Sequence, residues 1–163
     1  QSGTVSVHDE RILLPANGEG SAKSLQVMDD DVPSATAGDR VGLARRNAKE
    51  EHLTGGTIIV HPAVEDKRTN TSVPLAVEQH VNSAVELSVS PFQKRALAVG
   101  DVIHASVDLQ FVVGRVTATE GSSVKVTWES PLFIRKTNPP QVLIAQLDSK
   151  PRIMGSATLE KQN

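Results

Sequence analysis

The sequence predicts an all-β protein arranged in two modules. Three observations carry that expectation. Apolar and polar residues alternate with period two along much of the chain. Turn signals interrupt the alternation at short intervals. The apolar residues available for a core are mostly Val, Leu, Ile and Ala, with only Trp128, Phe92, Phe111 and Phe133 as aromatics and no Tyr. Such side chains suit a pleated surface buried on one face.

The strands can be read in order. Val5 and Val7 alternate with Thr4 and Ser6, and Leu25 and Val27 with Ser24 and Gln26. Val85, Leu87 and Val89 alternate with Glu86, Ser88 and Ser90, and Val124 and Val126 with Ser123, Lys125 and Thr127. Each run puts one face in a core and the other in water. Fuller apolar runs at Ile58–Val60, Phe111–Val113 and Val142–Ala145 read as strands with less solvent on their second face. Asn17-Gly18, Gly38-Asp39, Gly55-Gly56, Gly100-Asp101 and Glu120-Gly121 mark the turns. Many short strands with frequent turns predict a barrel or a sandwich. Helix is expected only as a turn or two, at Ala48–Leu53 and Gln93–Leu97. A polar, aperiodic stretch, Glu65–Ser72, reads as the break between modules. It sets expected domains at 1–66 and 72–163 with a linker at 67–71.

Composition narrows the function classes. Charged residues make up 22% of the 163 and the formal net charge is −2, so no global basic field draws nucleic acid to the chain. The absence of cysteine removes disulfides, thiolate nucleophiles and Cys-type zinc sites, and fits a reducing compartment. No apolar run approaches the roughly 20 residues of a membrane span, and no signal peptide is legible. The chain starts at Gln1 rather than Met, as a piece of a longer protein would.

Searched for chemistry, the sequence offers little. No GxxxxGK[ST] phosphate loop occurs, and no GxSxG nucleophile elbow. His8, His52, His61, His80 and His104 form no metal-ligand spacing. His8-Asp9-Glu10 reads as a solvated turn, and Asp29-Asp30-Asp31 as a solvated acidic loop without the calcium-loop spacing. Basic residues gather at Arg40, Arg45 and Arg46, at Lys94 and Arg95, and at Arg135 and Lys136. Each group could position a phosphate, although plain solvated charge is the commoner role.

A family resemblance goes further. Lys23-Ser24-Leu25-Gln26-Val27 followed by Ala35–Leu43, which contains Ala37-Gly38-Asp39-Arg40-Val41-Gly42-Leu43, resembles the second domain of elongation factor Tu-like translational GTPases. Leu53–Ile59 resembles the segment that follows it. Pro91–Leu97 with Val99-Gly100-Asp101, then Val142–Asp148 and Pro151–Ala157, resemble the third domain. The pattern is similar in particular to archaeal selenocysteine-specific elongation factors and their archaeal paralogues. The resemblance implies two antiparallel β-barrels, the first lacking its initial strands, because the family's GxGtVvtG segment would precede Gly3. It also implies a non-catalytic, cytoplasmic chain that meets aminoacyl-tRNA or the ribosome through a parent protein. GTP and magnesium would belong to an upstream GTPase domain, with no cofactor, membrane or DNA contact here. Arg40 matches the arginine that, with an Asp-His pair on the missing strands, forms the selenol pocket of the archaeal factors. Opposite charge beside a selenolate favours its ionised form. Lys94 and Arg95 are the expected RNA-backbone contacts. Unpaired edges in a truncated first barrel would invite a strand-sharing homodimer. The alternative is a protein-interaction scaffold in a paralogue that no longer carries tRNA.

Overall fold

The computed structural model describes residues 3–47, 49–69 and 71–162. Apart from one 3-10 turn at Glu50–His52, its regular structure is entirely β, in two compact units. The first runs to Ala76 and the second starts at Val77.

In the first unit the strands are β1 (Thr4–Ser6), β2 (Glu10–Leu14), β3 (Gly18–Val27), β4 (Asp30–Val32), β5 (Ser34–Thr36), β6 (Val41–Arg45), β7 (Ile58–Val60), β8 (Val64–Asp66) and β9 (Thr71–Val73). A curled sheet has the order β4-β3-β2-β7, with β6 also on β3. Strand β3 can serve both sides because it shifts register between Ala22 and Ser24: its first half pairs with β2 and its second with β6. Leu13, Leu14, Ala22, Leu25, Ala35 and Val60 are the buried apolar residues among those described in this unit. Among the described residues β7 pairs only with β2, so its outer edge is open. The sheet is half of a barrel, in line with a first module short of its opening strands.

The turn chemistry matches its sequence signals. Asn17 has φ 52° and Gly38 has φ 104°. Asp39 Oδ2 accepts the Thr36 N–H at 2.8 Å, and Asp101 Oδ2 accepts the Ala98 N–H at 2.9 Å. The two Gly-Asp sites are thus one turn used twice. The acidic run departs from expectation. Asp30 and Asp31 lie in β4, which folds back on β3 through Met28 and Asp29, both at positive φ. Residues 67–71, read as the linker, fall between β8 and the start of β9, an antiparallel hairpin; Asn70 lies outside the described residues. Asp66 turns this hairpin, and hydrogen bonds from Thr69 and the Arg68 N–H hold its carboxyl below the ordinary range.

The second unit is a closed antiparallel barrel. Its strands are β10 (Val77–Val89), β11 (Val102–Val107), β12 (Gln110–Glu120), β13 (Ser123–Arg135), β14 (Val142–Ala145) and β15 (Ile153–Gln162), in the order β10-β13-β12-β11-β14-β15. Inward positions alternate as the sequence implies: Val85 and Leu87, Ile103 and Ala105, Val124 and Val126, Val142 and Ile144. They close around Trp128, Leu132 and Met154. Full closure leaves no edge for another chain to extend.

Of the two helix expectations, the first is met as a single 3-10 turn and the second fails. Ala48 lies outside the described residues, and the rest of its segment supports only the 3-10 turn. Residues 93–97 are not helical, and the Gln93 side chain satisfies the backbone at the start of the segment. Its Oε1 accepts the N–H groups of Lys94 at 3.0 Å and Arg95 at 3.1 Å.

Candidate nucleic-acid interface

Gln93 organises the most suggestive surface of the second unit. Its Nε2 donates to the Pro151 carbonyl at 3.0 Å and sits 3.0 Å from Met154 Sδ, while Ser90 N–H donates to the Met154 carbonyl at 2.7 Å. These bonds clamp the loop before β11 onto the loop between β14 and β15. Lys94 therefore lies beside a contact whose other side is flanked by Lys150 and Arg152. All three side chains are exposed, and none forms an ion pair among the described residues. Phe92, 78% exposed, stands at the same loop. An uncovered aromatic ring beside unpaired cations can stack on a base while the cations hold phosphates.

The structure separates the two cations expected here. Lys94 is unpaired, whereas Arg95 Nη2 bonds Asp101 Oδ1 at 2.7 Å. Arg95 is thereby tied to the turn that opens β11. Lys150 and Arg152 went unread in the sequence. The clamp that makes them neighbours of Lys94 spans 58 residues between Gln93 and Pro151, and no local pattern signals it.

In the first unit Arg40 is exposed between β5 and β6, directly after the Asp39 turn, with no ion pair among the described residues. Its neighbours in sequence behave differently. Arg45, expected as solvated charge, is half-buried, and its Nη2 donates to the carbonyls of Arg11 and Gly20, both at 2.8 Å. Those two residues face each other across the β2–β3 ladder, so the guanidinium bridges the strands beside the β3 register shift. Arg11 is buried, bonds Asp9 Oδ2 at 2.6 Å and donates to the Thr4 carbonyl. A hydrogen bond from the Ser6 N–H, joined by Arg11, keeps the Asp9 carboxyl below the usual carboxylate range. Burial, then the nearby Arg11 charge, lowers the Arg45 guanidinium from its ordinary value. The signal for these arginines was available: Arg11 shares the inward phase with Leu13, as Arg45 does with Val41 and Leu43. Their role is structural. Arg45→Ala orphans two carbonyls but also relieves a buried like-charge pair, so a net loss of about 1 kcal/mol in chemical denaturation is expected.

Other chemistries find no site. His8 and Asp9 form a turn at the start of β2, and no group of three His, Asp or Glu able to hold a metal occurs among the described residues. No GxxxxGK[ST] phosphate loop occurs in the sequence. Glu78, His80 and Ser83 stand in the order of a hydrolase triad, but Ser83 is fully buried and no substrate could reach its oxygen.

No family model matches the chain. It is 27% identical over 132 residues to an uncharacterized protein of Methanocaldococcus jannaschii, covering 81% of this chain and 39% of that protein. It is 31% identical over 98 residues to the selenocysteine-specific elongation factor of the same organism, covering 60% of this chain and 20% of that factor. Among solved structures, the apo translation elongation factor SelB of Methanococcus maripaludis superposes with a TM-score of 0.76 at 23% identity, over 99% of this chain and 37% of that one. The resemblance expected from the motifs is therefore found in sequence and in fold, and it falls on the β-barrel region outside the GTPase domain. The chain spans about two fifths or less of the relatives it matches.

Proposed function

We propose that the chain is the tRNA-holding, non-catalytic β-barrel region of an elongation factor-like protein working in the cytoplasm. The observation that supports this most is the clamped surface of the second unit, where Phe92 lies open beside unpaired Lys94, Lys150 and Arg152. A local cluster of this kind can bind RNA on a chain whose net charge is −2. GTP hydrolysis would belong to a separate domain of a parent protein. The open edge of β7 is where a further strand would pair, from that parent or from a second copy. Arg40, exposed and without an ion pair, remains the candidate for the aminoacyl or selenocysteyl group.

The test is a filter-binding titration of this chain with aminoacyl-tRNA at several salt concentrations. Three phosphate contacts predict a log–log salt slope of roughly −2 to −3. The combined K94Q, K150Q and R152Q variant should bring that slope close to zero. Arg40→Ala should weaken charged tRNA more than uncharged tRNA; equal weakening assigns Arg40 to phosphate instead.

A protein-interaction scaffold is the second reading, and one surface favours it. The outward positions of β11, β12 and β14 carry Phe111 stacked on His104, with ring centroids 5.0 Å apart, together with exposed Leu143. Ser106, Val113 and Ala145 fill the places between, and the next cation along β12, Arg115, donates to the Gly100 carbonyl at 3.0 Å. Charge-depleted aromatic and aliphatic surface is what protein interfaces use. Salt-independent or absent tRNA binding selects this reading.

A further inference from the structure

The seam between β10 and β13 is built unlike the rest of the barrel. The two strands pair in separate blocks, Val77–His80 with Leu132–Arg135 and Asn82–Glu86 with Ser123–Thr127. Between them a single residue of β10, Val81, stands opposite the four-residue stretch Trp128–Pro131 of β13. The backbone ladder is interrupted there, and Pro131 has no N–H with which to restore it.

Side chains bridge the gap. Trp128 Nε1 donates to Ser83 Oγ at 2.9 Å, and Ser83 Oγ lies 2.9 Å from His80 Nδ1. All three residues are buried, His80 and Ser83 almost completely. The protons can be assigned from this geometry. With the indole donating to Ser83, the serine's own hydroxyl proton finds its acceptor, among the described hydrogen bonds, in an unprotonated His80 Nδ1. The imidazole proton then sits on Nε2, which faces Glu78 Oε2 at 3.6 Å. The indole and serine donors are both used in this neutral tautomer.

We infer that this bridge is a proton-operated latch: a neutral His80 holds the β10–β13 seam closed, and protonation of His80 releases it. A proton added at Nδ1 points at Ser83 Oγ. The serine must then turn its own hydroxyl proton away from its one acceptor while still receiving the indole N–H. The added charge also lies inside the barrel. Two charged groups act on it: Glu78, on the same strand, favours the cation, and Lys161, on β15, opposes it. On β13, Leu132 stands opposite His80 and Trp128 bonds Ser83, while the one charged residue of the interrupted stretch, Glu129, is exposed. Burial outweighs Glu78, and the imidazole titrates below its ordinary 6.5. Because folding depresses this pKa, the latch contributes fully above about pH 6.5 and is lost as pH falls through the lower, folded-state value.

Trp128 is the sole tryptophan, so its fluorescence reports the seam directly. Acidification of the wild-type chain should red-shift the emission in a one-proton transition centred below pH 6.5. His80→Gln, which cannot titrate, should remove that transition. Glu78→Gln should move the midpoint to lower pH and Lys161→Gln to higher pH, opposite shifts that a merely structural role does not produce. A transition that persists in His80→Gln, or a midpoint that neither charge variant moves, overturns the inference. If His80→Gln does not fold, the two charge variants decide the matter.

Discussion

Gly155→Ala should cost the second unit about 3 kcal/mol or more, enough to leave it largely unfolded at moderate temperature. Gly155 lies in β15 opposite Val89 of β10. A Cβ built on Gly155 would collide with the Ser88 carbonyl group, whose carbon is 2.9 Å away, and with Ser90 N at 3.1 Å. These are backbone atoms. Ser90 is also pinned by its hydrogen bond to the Met154 carbonyl, so the loop cannot back away without releasing the Gln93 clamp. The added methyl therefore strains the closing strand pair, and the φ of 156° adds to the difficulty. Urea unfolding followed by circular dichroism reads the loss. A drop of less than 1 kcal/mol would show that β15 can shift at no great cost.

The same region shows how far the sequence could be read. Alternation at Val124 and Val126 or Val142 and Ile144 reports a one-sided environment directly, so strand identity and facing were legible. That Gly155 belongs to a closing strand was legible from the motif around Pro151–Ala157. Its reason was not, because the obstruction is a carbonyl on β10, far away in sequence. Charge was the other blind spot. Arg11 and Arg45 occupy inward positions, but an arginine is ordinarily assigned to solvent, and only the carbonyls of Arg11 and Gly20 reveal why one is retained inside. Lys150 and Arg152 were missed for a related reason: their proximity to Lys94 depends on one glutamine side chain.

Gly114→Ala is expected to cost about 2 kcal/mol through overpacking, and its partner residue makes that cost informative. Gly114 faces Trp128 across the β12–β13 ladder. A Cβ there would lie 2.5 Å from Trp128 Cε3 and 2.6 Å from Val126 Cγ1. Unlike the Gly155 clash, these obstacles are side chains, so relief depends on whether Trp128 can move. Its indole is fixed by the hydrogen bond to Ser83, within a barrel that also buries Val85, Val116 and Val126. Ser83→Ala removes that fixation and costs stability by itself, since it leaves the indole N–H unpaired. In the double variant the ring is free to turn away from the new methyl. The combined loss should then fall short of the two single losses added together, by about 0.5 kcal/mol or more. Strict additivity in a double-mutant cycle would mean that packing, rather than Ser83, holds the ring, and the seam would then owe its order to the core alone.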